Sequence, residues 1–157
     1  MALVNPGGIR ASFESGKITF EDLFRVLPFD NSIARLKLTG RELKLLLRIA
    51  DSGARGIFPT SGLRYSMIEL GAPAPSDDLD HDGKISPWEV NRILNVKLED
   101  GRPVKDTTYY TVATIDFLVS GGDGLGWFMR QLPKERVTPV AGPLIRDIVE
   151  NELLALK

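Results

Sequence analysis

Residues 32–51, "SIARLKLTGRELKLLLRIAD", constrain the fold more than any other stretch, because two periodicities meet there end to end. Ile33, Leu36 and Leu38 sit in a run whose apolar and basic positions alternate, as a half-buried strand requires. The next segment repeats Leu43, Leu46, Leu47 and Ala50 at helical spacing, and Thr39 with Glu42 forms a capping box at its start. A strand therefore feeds directly into an amphipathic helix. Elsewhere "ITFEDLFRVLP" predicts a short helix capped by Thr19 and Asp22, with Leu23, Phe24 and Leu27 inward and Pro28 at its end. Strands are expected in "ALVN", "GLRYSMIEL", "NRILNVKLEDG" (turning at Asp100-Gly101) and "TYYTVATIDFLV". After a loop "PKERVTPVAG", Pro143 opens a last helix with Leu144, Ile145, Ile148, Val149 and Leu153 inward. Helices and strands alternate without a regular βαβ rhythm, so the expected class is α+β with a mixed sheet, in a single domain over 1–157.

Two loops carry committed chemistry. "NPGGIR" and "SGGDGLG" each place paired glycines directly after an apolar strand, where a ligand can approach the main chain closely. Arg10 in the first suits a phosphate or carboxylate, and Asp123 in the second suits a pair of sugar hydroxyls. Taken alone, either loop is more often just a turn, and Phe29 and Phe117 are more often core.

Their order narrows the reading. "NPGGIR", "VLPFDNSIARLKLTGREL", "FPTSGLRY" and "YYTVATIDFLVSGGDG" follow one another as in the C-terminal domain of the 5′-nucleotidase family, which this chain resembles from about residue 3 to residue 130. That resemblance implies a fold like that domain's, and a parent enzyme whose N-terminal metallophosphatase domain holds two catalytic metal ions. It also implies that Phe29 and Phe117 sandwich a nucleobase, that Asp123 of "GGDG" (with Gly122) receives the ribose hydroxyls, and that Asn5, Gly7, Gly8 and Arg10 form the ribose- and phosphate-side contacts. Stacking between aromatic faces tolerates base identity, which suits broad nucleotide scope.

The catalytic metals have no home in these residues. A dinuclear phosphatase centre needs several His and Asp ligands. The chain has one histidine, His81, and no cysteine. It is expected to be inactive alone; the resemblance implies that a helix and a further phosphate-side arginine precede the "ALVN" strand, so the abrupt start is expected to mark an N-terminally truncated piece of a larger hydrolase.

One stretch, 76–90, departs from the resemblance. "DLDHDGKISPWE", residues 78–89, matches the EF-hand calcium pattern at every fixed position. Asp78, Asp80, Asp82, the Lys84 carbonyl, Ser86 and a bidentate Glu89 supply oxygens, Gly83 makes the turn and Ile85 the inward contact. The prolines of "GAPAPSD" exclude an entering helix, so the loop cannot belong to a helix pair that opens on binding. It is expected to be an insertion between strands that holds Ca²⁺ as a structural brace.

A net charge of −1 and the lack of a basic, aromatic-studded run argue against a nucleic-acid partner, and no apolar run approaches the ~18 residues of a membrane span. The expected partners are a nucleotide or nucleoside and the N-terminal domain of the parent. The expected location is secreted, periplasmic or at the cell surface. An alternative is a calcium-stabilised binding or structural module that kept the fold without a nucleotide site.

Overall fold

A computed structural model describes residues 1–53 and 55–156. Seven strands and five α-helices follow in order: β1 (Ala2–Leu3), α1 (Phe20–Val26), β2 (Ser32–Thr39), α2 (Gly40–Ala50), β3 (Thr60–Ser61), β4 (Leu63–Met67), β5 (Ile93–Leu98), β6 (Tyr109–Ile115), α3 (Asp116–Val119), α4 (Gly126–Gln131), β7 (Val137–Leu144) and α5 (Ile145–Ala155). Five strands form one mixed sheet in the order β3-β1-β6-β2-β7, with β1 parallel to β6 and the other pairings antiparallel. Strands β4 and β5 make a separate antiparallel pair. This is the α+β class with a mixed sheet that the sequence implies.

The strand-to-helix junction at 32–51 forms as its pattern dictates. Ala34, Leu36 and Leu38 of β2 are buried while Arg35 and Lys37 are exposed. Thr39 caps α2: the Glu42 amide reaches its hydroxyl at 3.3 Å, and the Glu42 carboxylate accepts the Thr39 amide at 2.7 Å. Leu43, Leu46, Leu47 and Ala50 then pack onto the sheet with Val112, Ile115, Leu118 and Phe128. Truncating any one of these leucines to alanine costs about 2–5 kcal/mol.

Four local expectations change. In α1 Val26 is buried and Phe24 faces outward at 46% exposure, because the guanidinium of Arg146 lies over the Phe24 ring, 4.4 Å from its centroid, and gives it a partner at the surface. The run "TYYTVATIDFLV" is not one strand: β6 stops at Ile115, the Asp116 carboxylate accepts the Phe117 amide at 2.8 Å, and a short helical turn begins. The expected loop at 133–142 gives way from Val137 to strand β7, which tolerates Pro139 and Pro143 because it lies at the sheet edge. Pro143 therefore lies within the end of β7 and does not open α5. That helix starts at Ile145, with the Asp147 carboxylate accepting the Leu144 amide at 2.9 Å, and its fully buried residue is Arg146. Leu144, Ile145, Ile148, Val149 and Leu153 are only half-buried.

Candidate functional site

The two glycine loops leave neighbouring strands, since β1 and β6 pair in parallel at Ala2 and Ala113 and both run toward the same end of the sheet. There Asn5, just past β1, meets Asp123, just past α3. The Asn5 side-chain amide donates to the Asp123 carboxylate at 2.6 Å, across 118 residues of sequence. Asp123 sits in the left-handed region at φ 51°, between Gly122 and Gly124, so the loop turns sharply and aims the carboxylate back at the first loop.

Around this contact lies a cleft of about 340 Å³ lined by Asn5, Gly7, Gly8, Arg10, Phe29, Asn31, Phe117 and Asp123. Phe29 and Phe117 are 47% and 42% exposed, although both are large and apolar. Gly122 backs the Phe117 ring: a Cβ there would lie 2.5 Å from the ring carbons, so only glycine leaves room for it. Arg10 donates to the Gly7 carbonyl at 3.3 Å, and its own amide is held by the Val26 carbonyl at 2.9 Å. Every residue expected at the glycine loops therefore converges on one cleft, with Gly122 behind it.

Asn5 is buried, and its side-chain oxygen has no hydrogen-bond partner. Its amide is already committed to Asp123, so Asn5 orients that carboxylate and keeps one acceptor in reserve.

Two residues at the site carried no signal. Asn31 lines the cleft from the loop after Phe29. Arg55 places its Nε 3.3 Å from the Asp123 carboxylate, from the loop between α2 and β3. That loop is tied at its base by buried Asp51, which accepts the Phe58 amide at 2.7 Å and the Tyr65 hydroxyl at 2.6 Å. Burial pushes the Asp51 carboxyl above its ordinary range despite these two bonds. Neither Asn31 nor Arg55 falls in a periodic pattern, and only the tertiary meeting of loops reveals them.

The acidic stretch lies between β4 and β5. Its ends are bridged at Ser76 and Val90. Asp78, Asp80 and Asp82 each bring a carboxylate oxygen within 4.8 Å of the others. Gly83 takes φ 81° at the turn. The amides of Asp82 and Gly83 point at the Asp78 carboxylate, at 3.2 and 3.0 Å. Glu89 is fully buried and does not join the three aspartates. Its carboxylate accepts the amides of Ser86 at 2.8 Å, Leu79 at 2.5 Å and Asp80 at 3.3 Å, and these bonds hold it below the usual carboxylate range, that from Ser86 contributing most. An all-oxygen donor set on a tight turn fits a hard cation such as Ca²⁺. Lys84 and His81 are exposed on the same loop, and Ser86 is half-buried.

This loop is not isolated. The Arg48 guanidinium, from buried α2, donates to the Glu89 carbonyl and pairs with Asp77 at 3.2 Å. Trp88 stacks on Trp127 of α4, the helix that follows the Asp123 loop.

Residues 1–130 match the family model for the 5′-nucleotidase C-terminal domain. The chain belongs to that family. Among members, it is 31% identical over 136 residues to the trifunctional nucleotide phosphoesterase protein YfkN of Bacillus subtilis, covering 82% of this chain and 8% of that protein. It is 30% identical over 134 residues to the NAD 5′-nucleotidase of Haemophilus influenzae, covering 82% of this chain and 21% of that protein. The crystal structure of a 5′-nucleotidase precursor from Thermus thermophilus superposes with a TM-score of 0.67 at 30% identity, over 83% of this chain and 24% of that one. The 5′-nucleotidase C-terminal domain is thus a small part of much longer relatives. Among the described residues, no helix is long and apolar enough to cross a membrane.

Proposed function

We propose that this 5′-nucleotidase C-terminal domain recognises the nucleoside part of a substrate for a metal-dependent phosphohydrolase, within a pathway of nucleotide breakdown. The observation that carries the reading is the single cleft that joins Asn5, Arg10, Phe29, Phe117 and Asp123. Half-exposed aromatic rings beside a carboxylate are costly to leave bare and suit a flat base joined to a diol. Phe29 and Phe117 stack the base, each worth about 1–3 kcal/mol. Asp123, oriented by Asn5, accepts the ribose hydroxyls through charge-assisted bonds. Arg10 and the Gly7–Gly8 main chain face the phosphate side.

The chemistry itself is assigned to an N-terminal metallophosphatase domain of the parent protein, whose two metal ions would activate water and stabilise the charge on the phosphoryl group as the nucleoside oxygen leaves. This chain binds and orients. Its contribution is to hold the base and ribose still while the phosphate is presented elsewhere.

The loop at 76–90 is assigned a structural Ca²⁺, held by Asp78, Asp80, Asp82, the Lys84 carbonyl, Ser86 and Glu89. The complete twelve-residue pattern and the three convergent aspartates support this. Glu89 would have to share its carboxylate between the ion and the amides it now accepts. A loop of this kind, with millimolar-range affinity, suits a secreted or cell-envelope parent. One relative, 32% identical over 136 residues, is a cell wall protein of Listeria monocytogenes.

Isothermal titration with AMP, adenosine and UMP tests the main reading. Binding of all three with similar affinity is expected; no heat at millimolar ligand overturns it in favour of a calcium-stabilised module without a nucleotide site.

A further inference from the structure

The segment that presents Phe29 is gripped from outside the family-matched stretch. Between the end of α1 at Val26 and the start of β2 at Ser32 the chain runs as a loop, and Phe29 at its centre is half-exposed. Its own packing therefore does little to fix it. Contacts from residues 144–146, beyond the matched residues 1–130, bracket it on both sides. Arg146 donates from Nη1 to the Leu27 carbonyl at 2.8 Å and from Nη2 to the Asp30 carboxylate. The Ile145 amide donates to the Asn31 carbonyl at 2.9 Å, and Leu144 pairs with Ser32.

Arg146 is only 6% exposed, and a buried guanidinium is stable only while its donors are engaged. Its Nε has no hydrogen-bond partner, so the Leu27 and Asp30 contacts and the Phe24 ring face beneath it are what hold the cation in place. The dependence runs both ways. The cation needs the 27–30 loop in this conformation, and the loop is pinned by a side chain that cannot move to solvent without losing both bonds.

We propose that Arg146 is a positioning residue for the base-stacking Phe29, making α5 part of the ligand site although it lies outside the family's matched stretch. The proposal rests on the nucleoside reading above. Arg146 touches no ligand; it acts through the loop, and a planar fork that spans a carbonyl and a carboxylate is work lysine cannot do.

A double-mutant cycle on adenosine affinity, with hydrogen exchange at the bonded amides of Leu27 and Ile145, which hold the two ends of the loop, tests it in the 157-residue chain. Arg146→Met should weaken adenosine binding by about fivefold to tenfold, a fraction of what a lost stack costs. In a Phe29→Ala background the same change should cost less than about twofold, since there is no ring left to position. Arg146→Lys should not restore affinity. Asp30→Ala removes an exposed carboxylate, so it tests the clamp if Arg146→Met folds poorly; it should reproduce part of the loss. Exchange at Leu27 and Ile145 should rise in Arg146→Met while that of β2 and β6 stays unchanged. Equal losses with and without the Phe29 ring, or unchanged exchange, overturn the proposal even when adenosine binds. Raised exchange in a chain whose wild type binds no adenosine upholds the clamp and condemns the nucleoside reading alone.

Discussion

The Trp88 ring lies 5.1 Å, centroid to centroid, from the Trp127 ring, with the planes tilted by 40°. Trp88 immediately precedes Glu89, and these are the chain's two tryptophans. Any shift of Glu89 toward an ion therefore moves one partner of the pair. Calcium titration should change the tryptophan emission, with a midpoint at about 10⁻⁴–10⁻³ M. Trp88→Phe should remove most of the change. A flat emission across that range in the wild type would rule out ion binding through Glu89.

Calcium should also stabilise the fold. At about 1 mM ion and a Kd near 0.1 mM, linkage gives about 1.4 kcal/mol. For a chain of this size that is a melting shift of about 3–5 °C. Glu89→Gln should lose most of it, while far-UV circular dichroism barely changes, because no helix pair stands ready to open. Equal shifts in both proteins, measured against chelator, would show that the ion acts elsewhere.

Phe117 offers a cleaner probe of stacking than Phe29, since its ring stands over Gly122 and contributes little to the core. Phe117→Ala should weaken adenosine binding by about 1–3 kcal/mol and leave the melting temperature nearly unchanged. In a full-length phosphohydrolase of the kind proposed above it should raise KM with kcat almost constant, because a stack persists from ground state to transition state. A loss confined to kcat would instead make the ring a device for aiming the phosphate.

Acid should unpick the cap of α2. Burial raises the Glu42 carboxyl, but the Arg136 fork at 2.8 and 2.9 Å and the Thr39 amide and hydroxyl outweigh it, so its net displacement is downward. A carboxyl lowered in the folded state contributes stability that is complete above its unfolded value near pH 4.5 and disappears as pH falls through the lower folded one. Glu42→Gln should cost about 2 kcal/mol at pH 7. The gap between the two proteins should narrow on acidification below about pH 4. A pH-independent difference would place the loss in packing.

The chain alone should show no phosphatase activity toward AMP with Mn²⁺, Mg²⁺ or Zn²⁺. Two catalytic ions need a set of His and Asp ligands, and the sole histidine, His81, is exposed on the acidic loop. Metal-dependent turnover by the purified chain would overturn this assignment of roles.

What could be read in advance follows from where the information lies. The junction at 32–51 was legible because capping and periodicity are local, and Thr39, Glu42 and Leu43 state them outright. The cleft was legible through resemblance: no spacing rule links Asn5 to Asp123, which lie 118 positions apart. Arg55 and Asn31 were invisible, since each acquires a role only when separate loops meet. Phe24 misled because helical spacing marks an apolar face without revealing that a cation will cover it. β7 was hidden by its prolines, which signal a loop everywhere except at a sheet edge.

Those prolines have a consequence for the molecule in company. The sheet has two free margins, and a free margin is a template on which another chain can lay a strand. At one end β3 is two residues long, too short to seed such pairing. At the other, Pro139 and Pro143 remove two amide donors from β7, and Gly142 between them adopts φ 159°. Neither margin offers an uninterrupted row of donors and acceptors, so the barrier to fibril-like stacking is written into the covalent chain itself and persists through any fluctuation that leaves the strands paired.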